Sequence, residues 1–200
     1  MALATEQGFP FFLATGAILQ GWALTEQAYL SGKQGPEEGK RVEMRRGLTA
    51  YRATGAGVWQ PYFLALLAEA HREEQADEGL RILAEASVLM DKTDEWWWEA
   101  ELYRLRGTLT LQSQASNPQP HVRLEAEACF HKAIAIARKQ QAKSLELRAT
   151  MSLARLWRQQ GKQHEAHHVL SEIYGWFTEG FDTKDLQEAK ALLDELAETR

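Results

Sequence analysis

The chain has very little of what staples, kinks or spans. Its 200 residues include one cysteine, Cys129, so no disulfide can close within it, and a reducing, cytoplasmic setting is expected. Cys129 stands beside Phe130 in a helical apolar pattern, where a free thiol packs as a small hydrophobe. Only five prolines occur. Positive charge is not in excess either: the net charge of −5 gives no general attraction to nucleic acid. The longest apolar stretch, Phe9 to Leu24, is broken by Thr15, Gly16, Gln20 and Gly21 and falls short of the roughly 20 residues that cross a bilayer. Glu6 precedes it where a signal peptide would carry positive charge, so it reads as a first packed helix and no membrane partner is expected. No segment alternates with period two, so no strand is expected. Nucleotide and acyl-transfer signatures are missing as well. Gly32-Lys33 and Gly161-Lys162 lack the earlier glycine and the following hydroxyl of a phosphate loop, and no G-x-S-x-G occurs. No cofactor is expected.

What the chain has is helix formers and an internal repeat. Ala, Leu, Glu, Gln and Arg dominate, a mixture that favours helices. Four times a small residue is followed, at x3 and then x2, by a large apolar residue and another small or apolar one. The clearest copies are Gly79-x3-Leu83-x2-Ala86, Ala126-x3-Phe130-x2-Ala133 and Ala166-x3-Leu170-x2-Ile173. Upstream of each copy an apolar helix carries its own small residue: Gly21, Ala68, Gly107 and Ala154. Helix pairs repeated in this way predict a tetratricopeptide-like array, in which one pair buries its apolar face only against a neighbour. The small positions lie 47, 39 and 47 residues apart, beyond the standard repeat of about 34; longer helices and a linker account for the excess. Gly21, Gly79 and Gly107 each lie inside an expected helix, at a cost of about 1 kcal/mol relative to alanine. Close approach of a neighbouring helix is the compensation expected.

Breakers place the helices at about 9–30, 36–53, 58–73, 75–90, 94–112, 121–139, 143–160, 162–174 and 183–197. The architecture expected is all-α, a right-handed superhelical array of about four antiparallel pairs (9–53, 58–90, 94–139, 143–174) forming a single domain over 1–200. The last helix carries Leu186, Ala189, Leu192, Leu193 and Leu196 on one face and charge on the other, as a solvating cap requires. The linker 112–120, with Ser113, Ser116, Asn117, Pro118 and Pro120, is the expected flexible loop.

Three stretches go further than a generic repeat. Tyr51-Arg52-Ala53-Thr54-Gly55, the run from Trp97-Trp98-Glu99-Ala100 to Arg106-Gly107, and Tyr174-Gly175-Trp176-Phe177-Thr178-Glu179-Gly180-Phe181-Asp182-Thr183 resemble the C-terminal repeat region of a bacterial family. In that family of large signalling proteins a nucleotide cyclase domain and a predicted ATPase domain precede tetratricopeptide repeats. The resemblance covers nearly the whole chain, and the last motif is its most specific part. It implies a cytoplasmic sensor or scaffold module, not a catalyst. The second helix, Glu37 to Leu48, carries one extra residue relative to the repeat pattern, and the cyclase and ATPase portions are absent from this chain.

Chemistry has one candidate. His164-Glu165-Ala166-His167-His168 satisfies H-E-x-x-H, in which two histidines one turn apart bind zinc and Glu acts as base; this is the basis of a remote alternative, a zinc metallohydrolase. Against it, Ala166 occupies the small packing position of the repeat, and Ser171 and Tyr174 stand where the extended motif needs glycine and a third histidine. The histidines are expected to be solvated, with neither metal nor catalytic residues. Trp96-Trp97-Trp98 would open the fifth helix pointing three ways, one or two into the core and at least one outward. Trp22, Trp59, Trp157 and Trp176 suit core stacking.

If the first helix of each pair lines the concave face, the groove contains Trp22, Tyr62, Ala65, Glu69, Arg72, Arg104, Thr108, Arg148, Met151, Arg155 and Arg158. Its last half is basic although the chain is acidic, and guanidinium forks suit carboxylate or phosphate. Arginines paired with Glu101, Glu146 or Glu172 are the competing reading. The function expected is a protein-interaction scaffold or regulatory sensor whose groove holds a peptide or partner domain, acidic in the basic half. The alternative is a regulatory C-terminal fragment acting on attached cyclase or ATPase domains.

Overall fold

The computed structural model describes residues 2–31, 37–71, 75–114 and 119–198, and every regular element among them is helical. Arg72, the break at 32–36 and the 115–118 part of the expected linker lie outside the described residues. The chain divides into two compact units, 1–96 and 97–200.

In the first unit, helix α1 (Ala2–Glu6) leads into α2 (Pro10–Ser31), which packs along α3 (Glu37–Ala53); α4 (Gln60–Glu69) packs along α5 (Ala76–Thr93). Glycine sets the spacing of the first pair: a Cβ on Gly21 would stand 2.5 Å from Met44 Cγ and 3.2 Å from the Lys40 carbonyl. Beyond α4, His71 is fully buried. Its Nδ1–H donates to the Leu67 carbonyl at 2.7 Å, and its Nε2 lies 3.2 Å from Arg45 Nη2 and accepts from it. Two ion pairs join α3 to α5, Arg45–Glu78 at 3.1 Å and Arg52–Glu85 at 2.7 Å.

In the second unit, α6 (Glu99–Gln112) packs along α7 (Pro120–Lys139) and α8 (Lys143–Gln159) along α9 (Gln163–Tyr174), with α7 also against α8. Gly107 lets α7 close on α6, since a Cβ there would meet the Phe130 ring at 2.6 Å and the Ala126 carbonyl at 3.0 Å. Finally α10 (Lys184–Glu198) lays Leu186, Ala189, Leu192, Leu193 and Leu196 onto Leu147, Met151 and Ala154 of α8 and Ala166, Leu170 and Ile173 of α9. That is the apolar face expected of a cap. All members of the three small-large-small copies are buried, as are Gly21, Ala68, Gly107 and Ala154 upstream of them. Cys129 is buried in α7, and burial pushes its thiol pKa up.

Two helix starts differ from expectation, each following a residue with left-handed backbone. Trp59 (φ 67°) and Asp94 (φ 59°) take left-handed backbone, which a right-handed helix cannot include. So α4 begins at Gln60 rather than 58. The tryptophan run forms a 3-10 turn, Trp96–Trp98, ahead of α6 rather than its first turn. None of these three indoles is buried. Trp59 and Trp176 are exposed and Trp22 and Trp157 half-buried, so the tryptophans expected to stack in the core sit at its margins.

Candidate partner-binding face

In the first unit the expected groove is closed by its own residues. Trp22 on α2 donates its indole N–H to Glu69 Oε2 at 2.9 Å. Glu69 on α4 is itself buried, and Ala65 beside it is fully so. Tyr62 is half-buried, its ring 5.4 Å from that of Phe63. This carboxylate serves the α2–α4 contact and is not presented outward.

In the second unit the structure brings the arginines together in two groups. Glu101, only 2% exposed, sits under the first. Arg104, one turn along α6, donates Nε–H to Oε2 at 2.9 Å and Nη2–H to Oε1 at 2.6 Å, a bidentate pairing. Arg148 reaches the same carboxylate from α8, with Nη2 2.8 Å from Oε1. Thr108 spends its hydroxyl on the Arg104 carbonyl at 3.1 Å, and Met151 lies in the core. Arg155 and Arg158 form the second group, further along α8. Arg155 Nη2 lies 2.9 Å from Glu188 Oε2, and Arg158 pairs with Glu195, both carboxylates belonging to α10. Lys184 approaches Glu188 at 3.7 Å.

The competing reading of paired arginines holds for Glu101. Glu146 is taken instead by Arg138 (2.6 Å) and Lys143 (2.7 Å). Burial pushes its carboxyl pKa up, but these two hydrogen bonds and the charges behind them outweigh burial and hold it below the usual range. Glu188, a conceivable third ligand for the H-E-x-x-H alternative, is instead an arginine partner, as is Glu195, and neither was expected in that role. A signal for the first existed: Arg155 and Glu188 are 33 residues apart, as are Arg45 and Glu78, and Arg52 and Glu85. Stacked helices at nearly the standard repeat interval place such positions side by side.

The H-E-x-x-H segment turns Ala166 into the core and leaves His164, Glu165 and His168 exposed on α9. Among the described residues no group of three or more His, Cys, Asp or Glu side chains could hold a metal ion. Nor, among them, is any helix long and apolar enough to cross a membrane.

No family model matches the chain, and no curated protein does. Among solved structures it is similar to a crystal structure of the nearly identical TPR-like repeats of a Podosopora anserina putative kinesin light chain. That likeness covers 94% of each chain at 15% identity, with a TM-score of 0.57. At this identity it speaks to fold alone: these helix pairs are tetratricopeptide-like repeats.

Proposed function

We propose that residues 1–200 work as one helical-repeat interaction module, a cytoplasmic scaffold or regulatory sensor without catalysis or cofactor, which holds a peptide or partner domain. The face we assign to the partner is that of α6 and α8 around Arg104, Arg148, Arg155 and Arg158, and the partner segment is acidic or ends in a carboxylate. One observation carries this reading. Glu101, buried beneath Arg104 and Arg148, holds two guanidinium groups from different helices in a fixed arrangement, so little side-chain entropy remains to be lost when a second anion binds. Arg155 and Arg158 are 43% and 37% exposed and pair with carboxylates that are themselves 38% and 57% exposed. Pairs of that kind contribute about 0–1 kcal/mol and exchange readily for an incoming carboxylate. Trp22, Tyr62, Glu69 and Arg72 of the expected groove are left out of the assigned face, because Glu69 is buried under Trp22 and Arg72 lies outside the described residues.

The second reading rests on the Tyr174–Thr183 segment, whose resemblance is to repeats carried behind cyclase and ATPase domains. Trp176 and Phe181 within it are exposed, which suits docking on an attached domain. The test of the main reading is titration of an acidic peptide library at low and high ionic strength against wild type and Arg155→Glu. Binding that weakens with salt and with the substitution supports it. Affinity indifferent to both places the partner elsewhere.

A further inference from the structure

The loop joining α3 to α4 holds a conformation that a tryptophan resists. Trp59 lies at φ 67°, ψ 4°, where a bulky residue is an outlier. Side chains lace this loop to itself and to its surroundings. Tyr51 Oη–H donates to the Val58 carbonyl at 2.6 Å, and Gln60 Nε2–H to the Ala56 carbonyl at 2.8 Å. Trp59 donates its own backbone N–H to Glu95 Oε2 at 2.8 Å. So held, the loop presents Val58 at 59% and Trp59 at 44% exposure. Inward, the indole meets the buried Phe63 edge-to-face at 6.5 Å; its outer side faces solvent.

Beside that indole stand carboxylates that, among the described residues, no cation pairs with. Glu95 gives one oxygen to Trp59, and among the described residues no cation pairs with it. Nor, among the described residues, does a cation pair with neighbouring Asp94, which accepts from the Trp96 indole N–H at 2.5 Å. Arg52, the guanidinium nearest in sequence, is committed to Gln60 at 3.2 Å and Glu85 at 2.7 Å. An exposed, pinned indole beside an unneutralised carboxylate is complementary to a flat cation with an apolar flank.

We infer that Val58, Trp59 and Glu95 form a second docking surface, which receives an arginine-bearing segment of a partner protein. A guanidinium is weakly hydrated and planar, so it stacks on an indole while its in-plane N–H groups donate to a carboxylate. Here it lies on the outer face of Trp59 and donates to the second oxygen of Glu95, and an apolar neighbour in the partner covers Val58. The strained backbone gives the reason for the lacing: the indole is oriented before the partner arrives, which lowers the entropy lost on binding. The net charge of −5 draws such a segment in. This inference is independent of the α6–α8 face, which takes the opposite charge.

The test follows the seven tryptophan indole N–H resonances of the full, 15N-labelled chain, with Trp59 assigned by its loss in Trp59→Phe. The probes are a blocked hexapeptide with a central Leu-Arg-Leu and its twin carrying citrulline, the neutral isostere of arginine. The expected result is a saturable shift of the Trp59 indole with the arginine peptide, with affinity about five-fold weaker for citrulline and for Glu95→Gln. In that variant the side-chain amide oxygen still accepts from the Trp59 backbone, so the loop is kept and only charge is lost. A Trp59 resonance that stays still overturns the inference, as does one that moves equally with both peptides. The citrulline comparison needs no variant and decides the matter even where Glu95→Gln disturbs the loop.

Discussion

Arg148 on α8 and Glu101 on α6 are joined at 2.8 Å across two helices that are not consecutive in the chain. The carboxylate is buried and already bidentate to Arg104, so Glu101 ties one repeat to the next as well as anchoring its own turn. Glu101→Gln leaves two guanidinium groups facing an uncharged amide. Losing one member of a buried ion pair costs about 3–5 kcal/mol. With Arg148 26% exposed, solvent recovers part of this, and a loss of roughly 2 kcal/mol is expected. Urea denaturation measures it, and a loss below about 0.5 kcal/mol would show that the carboxylate is not structural.

Two glycine-to-alanine changes should have opposite signs. Both gain helix propensity, about 1 kcal/mol. At Gly39 a Cβ meets nothing within 4 Å, so Gly39→Ala should stabilise by about 0.5 kcal/mol. At Gly107 it meets the Phe130 ring and the Ala126 backbone. Overpacking of about 1–3 kcal/mol should exceed the gain, and thermal melts of the pair report the contrast.

His71 should give stability a pH dependence. Burial first, then the nearby Arg41 and Arg45, lower its pKa below 6.5, against the opposing hydrogen bond to Leu67 and the charge of Glu38. A base depressed in the folded state binds fewer protons there than in the unfolded chain. Its contribution is therefore whole above the unfolded pKa of about 6.5 and is lost as pH falls from there toward the folded value. Between pH 7 and 5 the wild type should lose more stability than His71→Gln; parallel curves would contradict this.

Glu188→Gln with Glu195→Gln should tighten an acidic peptide on the α8 arginines several-fold, because the two carboxylates compete for Arg155 and Arg158. Stability should change by less than about 1 kcal/mol, since these pairs are exposed. Calorimetry reads the affinity. Unchanged affinity for a peptide that wild type does bind would mean that it contacts neither arginine.

What could be read from the sequence was what spacing alone encodes. Gly79, Leu83 and Ala86 share one helix face wherever the helix lies, so their burial followed from position, as it did for Ala126-Phe130-Ala133 and Ala166-Leu170-Ile173. What could not be read depends on which helix lies beside which. Arg158 shares a face with Arg155 by periodicity, but its capture by Glu195, 37 residues on, required knowing that α10 lies along α8. Glu69 counted as a groove residue until Trp22 was found over it. Trp59 and Asp94 take left-handed backbone without the glycine that would announce it, so nothing in the sequence places these two turns.

The ion pairs Arg45–Glu78 and Arg52–Glu85 recur at seven-residue steps on both α3 and α5. Seven residues advance about 10.5 Å along a helix, so the two pairs work as teeth cut at equal pitch. Sliding α5 along α3 by a single turn, about 5.4 Å, would unmesh both at once, and only a slip of two turns would let a tooth meet a notch again. Both pairs are exposed and worth about 0–1 kcal/mol each, so together they bias the helices toward this register over a one-turn slip without locking it.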